Sequence, residues 1–173
     1  MKKKQKVDVM IGLTYILAGT LFLLFPLYHI NNIKWLNIIF FSVIGIVSLI
    51  QFILNIKSKD YTGLYSFLAS IVLIICMLVM KVDKPRYLSM AILIWVMLMS
   101  MIKMKKSDYY HDRRDRMWKL NLLMLGIFIL SGTLTSINLF YDSDVQVIVI
   151  GFFLFICGIL EIMDPVVKYL TSR

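Results

Sequence analysis

The sequence predicts an all-α, polytopic membrane protein with six transmembrane helices arranged as three tandem helical hairpins. Of the 173 residues, 60% are hydrophobic and only 17% are charged, whereas about 45–50% of the residues in a soluble domain are apolar. The apolar residues form runs of roughly 18–20 residues, the helical length that crosses a hydrocarbon core of about 30 Å. Because these runs are continuously apolar rather than alternating, they favour helices over a transmembrane barrel.

Six spans are predicted from these runs, and their ends carry residues typical of helix boundaries. Pro26 closes the first span, Asn31 and Asn32 supply turn chemistry, and Pro85 stands just before the fourth span, where proline is favoured. The first span is longer than the apolar region of a signal peptide, about 7–15 residues, so we expect it to be a retained helix. In chain order the predicted spans are residues 9–28, 35–56, 63–80, 87–102, 120–141 and 145–163.

Two polar segments are predicted to lie outside the spans. Residues 103–119 form the longest of them and are predicted to be a solvated cytoplasmic connector between the second and third hairpins, either irregular or partly helical along the lipid surface. Asp164 and Pro165 have the pattern of an N-cap followed by proline at the first helical position. We therefore expect residues 165–170 to form a separate short helix at the membrane interface.

The basic residues indicate the orientation and the partners. Of the 19 Lys and Arg residues, fifteen lie in the N-terminal segment, residues 57–61, residues 103–119 and the C-terminal tail, and four lie in the opposite loops. This bias predicts that both termini are cytoplasmic. The net charge of +9 does not indicate nucleic-acid binding, because the cations lie in the breaks between spans. The expected partner is the lipid bilayer, with anionic lipids near the basic loops.

An internal repeat relates the first and third hairpins by a shift of 113 positions. The shift superposes residues 16–21 on residues 129–134, and it superposes Gly45 on Gly158. Gly12 and Gly19 share one helix face, as do Gly151 and Gly158, and small residues let helices approach closely in lipid. The sequence thus predicts a single membrane domain, residues 1–173, with repeats at approximately 9–56, 63–106 and 120–169.

These glycine positions resemble those of the HdeD-like acid-resistance membrane proteins. The repeat of that family has a glycine-spaced first helix ending near a proline, and a second helix with glycine followed by small apolar residues. The middle copy of this chain lacks glycine at the aligned positions, and only the first copy has the proline. The resemblance implies a six-helix bacterial membrane protein linked to stress tolerance, with no assigned chemistry. The residues that carry it are Gly12, Gly19, Phe25-Pro26, Gly45-Ile46-Val47, Gly132 and Gly158-Ile159-Leu160.

Four intramembrane polar residues are the candidates for a functional site. Glu161 is an ionisable residue inside a predicted span, and such residues are costly and often functional. It lies near the cytoplasmic boundary, so both an interfacial role and a proton or cation role stay open. Ser131, Thr135 and Asn138 form a stripe on the fifth helix, which predicts either helix packing or a narrow polar path toward Glu161.

No other motif in the sequence indicates a reaction. The sequence has none of the common hydrolase, metalloprotease, phosphate-loop or dinucleotide patterns, and we expect neither an enzyme nor a cofactor. The two cysteines, Cys76 and Cys157, lie mid-span and are expected to be free thiols. A stripe of methionines on the fourth helix could bind Cu(I), but helix packing is favoured and no metal site is expected. The stripe consists of Met90, Met97, Met101 and Met104. A small transporter or channel subunit is the alternative function, and a homo-oligomer or a membrane-protein partner stays open.

Overall fold

The computed structural model describes residues 3–24, 33–56, 61–79, 85–112, 115, 117–141 and 145–171. Over these ranges the chain forms six α-helices and no strand, which confirms the predicted fold class. The helices are α1 (Lys3–Leu24), α2 (Ile33–Asn55), α3 (Thr62–Val79), α4 (Pro85–Asp112), α5 (Met117–Tyr141) and α6 (Gln146–Thr171).

All six helices are long and apolar enough to cross a membrane. At most 44% of the residues in any of their apolar windows are buried inside the protein, so much of the apolar surface faces outward. Leu17, for example, is 63% exposed and Val79 is 80% exposed. Such a surface is stable against lipid and not against water, and the chain is therefore a multi-pass membrane protein.

The helices form a closed ring in chain order, because each packs on the next and α6 packs on α1. Neighbours in the ring are antiparallel: Gly12 near the start of α1 contacts Gly158, whereas Gly19 contacts Gly151. One end of the bundle, here named the charged end, therefore contains the starts of α1, α3 and α5 and the ends of α2, α4 and α6. The opposite end is named the far end.

The most extensive close contact in the ring is between α1 and α6, where glycines place two backbones in contact. A Cβ atom added to Gly19 would lie 2.7 Å from the backbone nitrogen of Phe155, and one added to Gly158 would lie 2.7 Å from the carbonyl oxygen of Gly12. The two glycine faces identified in the sequence therefore pack on each other. Close backbone approach of this kind drives helix association in lipid.

Two further close contacts join helices from different predicted hairpins. On α3, a Cβ added to Gly63 would lie 2.7 Å from the carbonyl oxygen of Ser48 on α2. On α5, Gly132 faces Val96 of α4. The closest packing thus occurs between helices of different hairpins, and not between the two helices of one hairpin.

Aromatic rings fill the middle of the bundle around Trp95 of α4. The ring centroids of Phe41 on α2, Phe128 on α5 and Phe153 on α6 lie 5.3, 6.1 and 6.0 Å from that of Trp95. All four side chains are at most 1% exposed. The even-numbered helices therefore meet near the bundle axis through an apolar aromatic layer.

The helix that contains the fourth predicted span is longer than that span, since α4 continues past residue 102 to Asp112. The first part of the predicted connector is therefore helix, and α5 begins at Met117. The physical reason is that two of its lysines, Lys103 and Lys106, bind carboxylates on α6. These polar residues can therefore stay in a helix that packs against the bundle.

The predicted helix break at Asp164 and Pro165 is wrong, because α6 runs unbroken from Gln146 to Thr171. The carboxylate of Asp164 is buried and binds partners on other helices, so it does not cap a new helix. Proline leaves one carbonyl of its own helix without a donor, a defect that transmembrane helices tolerate. At α1, the described helix ends at Leu24, and the predicted boundary at residues 25–28 lies outside the described residues.

We expect Gly19→Ala to lower the melting temperature of the purified protein in detergent. The added methyl would force α1 and α6 apart, and overpacking costs about 1–3 kcal/mol. Gly126→Ala is the matched control, since a Cβ there meets nothing within 4 Å. Equal melting temperatures for the two variants would contradict the inferred role of the α1–α6 contact.

Candidate functional site

Four charged side chains and one amide side chain form a group at the charged end, here named the charge cluster. It consists of Lys103 and Lys106 on α4, Asn121 on α5, and Glu161 and Asp164 on α6. The ammonium of Lys103 donates a hydrogen bond to Glu161 Oε1, and Lys106 Nζ lies 2.5 Å from Asp164 Oδ2. Two cations therefore face two anions across the gap between α4 and α6.

The sequence builds this arrangement through matched spacing on two parallel helices. Residues three apart lie on one face of a helix, so Lys103 and Lys106 point the same way, as do Glu161 and Asp164. The partners differ by 58 positions in both ion pairs. The same difference recurs where Lys168 Nζ donates to Tyr110 Oη at 3.1 Å, and where Trp95 meets Phe153. The two helices thus keep a constant register over four turns.

Neutral amides extend the cluster to the neighbouring helices. Asn121 Nδ2 donates to Asp164 Oδ1 at 3.3 Å and to the carbonyl of Met117 at 3.0 Å. On the first two helices, Gln51 Nε2 donates to Asp8 Oδ1 at 2.7 Å. The partners in both side-chain pairs are 43 positions apart, and the pairs differ by the shift of 113 that relates the first and third hairpins.

Burial decides what these charges contribute. The side chains of Lys103 and Glu161 are 20% and 24% exposed, and that of Asp164 is 7% exposed. An isolated charge in such a place is costly, whereas a hydrogen-bonded pair offsets much of the cost of leaving water. The chemistry present at this site is therefore charge pairing between helices.

A small cavity lies within the charge cluster. Its volume is about 20 Å³, which is room for one water molecule, and its polar wall supplies the partners that a buried water needs. The site can therefore hydrate the ion pairs from within. The lining residues are Lys103, Lys106, Asn121, Met124, Leu125, Leu160, Glu161 and Asp164.

Of the four candidates from the sequence, only Glu161 belongs to the charge cluster. Ser131 Oγ donates to the carbonyl of Phe128 on its own helix at 3.0 Å. Thr135 is buried, and Asn138 is exposed on the outer surface of α5. The structure does not bring this stripe to Glu161, because the stripe lies in the half of α5 nearer the far end.

The aromatic layer separates the predicted stripe from the charge cluster. Lys103 Nζ lies 5.2 Å from the ring centroid of Phe128, and that ring packs on Trp95 and Phe153. The Lys103–Glu161 pair therefore lies next to the aromatic layer. A polar path from Glu161 to Ser131 would have to pass through these three rings.

Sequence reasoning missed Lys103, Lys106, Asn121 and Asp164 as members of the site. A signal was present: basic residues three apart near the end of α4 and acidic residues three apart near the end of α6. Which helices pair cannot be read from spacing alone.

A second pair that the sequence analysis missed lies at the far end of the bundle. Ser89 on α4 and Ser136 on α5 exchange buried hydrogen bonds of 2.7–2.9 Å.

The two cysteines and the methionine stripe of α4 are not members of the charge cluster. Cys157 is buried, Cys76 is half-buried, and both are free thiols. The four methionines of the α4 stripe are exposed on its outer face, which places them against lipid. Over the ranges that the structure describes, no group of three His, Cys, Asp or Glu side chains could hold a metal ion.

The fold and the site together define a multi-pass membrane protein with an ion-pair cluster inside one end of a six-helix ring. Comparisons of the chain with protein-family models, with curated proteins and with solved structures found no match.

We expect Lys103→Gln to destabilise the protein, because it leaves the carboxylate of Glu161 without its cation. Breaking a fully buried ion pair costs about 3–5 kcal/mol, and the partial exposure of this pair reduces the loss to roughly 2 kcal/mol. The measurement is thermal unfolding in detergent. Lys119→Gln, which removes an exposed charge at the same end, is the control.

The exchanged double variant, Lys103→Glu with Glu161→Lys, tests whether the pairing itself matters. It restores opposite charges at the same two positions, and we expect it to recover at least half of the stability that Lys103→Gln loses. A double variant as unstable as Lys103→Glu alone would show that each side chain acts independently.

Proposed function

We propose that the protein is a non-enzymatic integral membrane protein of the bacterial cytoplasmic membrane that acts in stress tolerance, as the HdeD-like resemblance implies. The proposal that the protein is not an enzyme rests on one observation. The intramembrane charges at the charged end bind each other across α4 and α6. Charges used in this way hold helices together and are not available to a substrate.

The hydrogen bonds of the charge cluster and of the first two helices support the HdeD-like repeat. The bond between Asp8 and Gln51 and the bond between Asn121 and Asp164 occupy equivalent positions under the shift of 113. Equivalent contacts at equivalent positions are what repeated hairpins would produce. The resemblance in glycine spacing thus has a counterpart in polar contacts.

We also propose that the charged end faces the cytoplasm. Both described helix termini, the start of α1 and the end of α6, lie at this end. Among the described residues, Lys103, Lys105, Lys106, Lys119 and Lys168 lie in the helix ends that form it. In the sequence, fifteen of the 19 Lys and Arg residues fall in the N-terminal segment, residues 57–61, residues 103–119 and the C-terminal tail. Positive charge is retained on the cytoplasmic side during insertion. Anionic lipids of the inner leaflet are the corresponding partner.

Labelling of single cysteines from outside the cell tests this orientation. With Cys76 and Cys157 replaced by alanine, we expect Tyr109→Cys at the charged end to resist a membrane-impermeant maleimide in intact cells. Tyr87→Cys at the far end should react, since both side chains are exposed in the structure. The reverse pattern would place the charged end outside.

A small transporter or channel subunit is the second candidate. The cavity beside Glu161 favours it, because half-buried carboxylates next to a water-sized space can take part in ion passage. The aromatic layer opposes it, since Trp95, Phe128 and Phe153 close the bundle below the cavity. Transport would therefore need these rings to move.

Flux measurements in proteoliposomes separate the two candidates. We expect no protein-dependent flux of protons, cations or small solutes above that of empty liposomes. Flux that is present in the wild type and lost in both Glu161→Gln and Asn138→Leu would establish the transporter.

Survival under stress tests the proposed role in stress tolerance. A strain lacking the gene should survive acid or other stress less well, and the wild-type gene should restore survival.

A further inference from the structure

Lys105 lies between the two lysines of the charge cluster in the sequence of α4 but faces outward. Lys103 and Lys106 point to α6, whereas Lys105 is exposed and its Nζ lies 5.5 Å from the ring centroid of Tyr65 on α3. Within the described part of the chain, no carboxylate forms an ion pair with it. Its charge is ordered by an aromatic ring and remains open to a ligand.

The length of α4 places Lys105 at the level of lipid headgroups. The 28 residues of α4 span about 42 Å at about 1.5 Å per residue, which exceeds the hydrocarbon thickness of about 30 Å. From Pro85, a rise of about 30 Å ends at Lys105. Tyr65, with an apolar ring and a polar hydroxyl, suits the same boundary.

Apolar side chains continue from Lys105 toward the middle of the membrane. Met101 and Met97 lie one and two turns below it on the same face of α4, and they are 66% and 61% exposed. On the neighbouring α3, Leu68 and Val72 continue the face of Tyr65 and are 47% and 40% exposed. A cation at headgroup level therefore stands above an exposed, flexible apolar surface formed by two helices.

We propose that this α3–α4 surface binds an anionic phospholipid. Lys105 and the hydroxyl of Tyr65 would bind the headgroup phosphate, and the acyl chains would lie along Met101, Met97 and Leu68. Charge complementarity and the depth of Lys105 select this occupant over a zwitterionic lipid. Asp108, exposed one turn further out, lies on the aqueous side of the phosphate. The inference deepens the anionic-lipid partner proposed above by naming its site.

Native mass spectrometry of the detergent-purified full chain tests the site. The protein is mixed with phosphatidylglycerol and phosphatidylcholine of identical acyl chains, and the retained lipid is counted. We expect the wild type to retain phosphatidylglycerol preferentially. Lys105→Ala should retain about fivefold less, from about 1 kcal/mol per lysine near an anionic surface. Lys105→Arg should behave as the wild type.

Lys119→Ala is the matched control, because it removes an exposed lysine that contacts the ring of Trp118 at the same end. If it lowers retention as much as Lys105→Ala, the proposed site is overturned and only general charge attraction remains. Tyr65→Leu, with a melting temperature to confirm folding, should also lower retention. Unchanged retention in both site variants would overturn the proposal.

Two further outcomes separate this proposal from its alternatives. Soluble glycerol phosphate at millimolar concentration should not displace the lipid, and displacement would show a free-phosphate site instead. If the wild type shows no preference for phosphatidylglycerol, both the proposal of an anionic-lipid partner and the proposed binding site are contradicted. If the preference persists in Lys105→Ala, the site alone fails.

Discussion

The contact between α1 and α6 is the interaction on which the rest of the structure depends. Lipid chains are as apolar as leucine, so the hydrophobic effect does not draw helices together within a bilayer, and close packing must do so. Gly12, Gly19, Gly151 and Gly158 bring the two backbones into direct contact and thereby close the ring of six helices. Once the ring is closed, the even-numbered helices meet around Trp95 and the charged ends of α4 and α6 face each other.

The charge cluster links α4 and α6, two helices that are not neighbours in the ring. The glycine contacts join only neighbouring helices. Ion pairs depend on the positions of both partners, so Lys103–Glu161 and Lys106–Asp164 fix α4 against α6 in one register. Retention of buried polar groups for specificity of pairing, at some cost in stability, is documented in other helical assemblies. In a bundle made of similar hairpins, such a link distinguishes α4 and α6 from α2, which has Ser48 and Gln51 at the corresponding positions.

The number of helices, the fold class and most helix positions could be predicted from the sequence, because the cost of exposing apolar runs to water depends on composition and length alone. The end of α4 and the continuity of α6 through Pro165 could not, since both depend on partners supplied by another helix. The same holds for the site: Glu161 could be found by its unusual position, but its binding to Lys103 requires knowledge of which helices are adjacent. The sequence did not show which non-consecutive helices are adjacent. The glycine faces indicated that α1 and α6 each pack closely on a neighbour, but not that they pack on each other.

The partnership of α1 with α6 has a consequence for how the bundle is made. Of the six helices, α6 leaves the ribosome last, so the glycine face of α1 enters the bilayer long before its partner exists. Until then the insertion machinery, a chaperone or the lipid itself must cover that face, and the ring stays open along one side. Assembly therefore has a late step in which α6 closes the ring. If synthesis stopped before α6, the glycine face of α1 would have no helix to pack against.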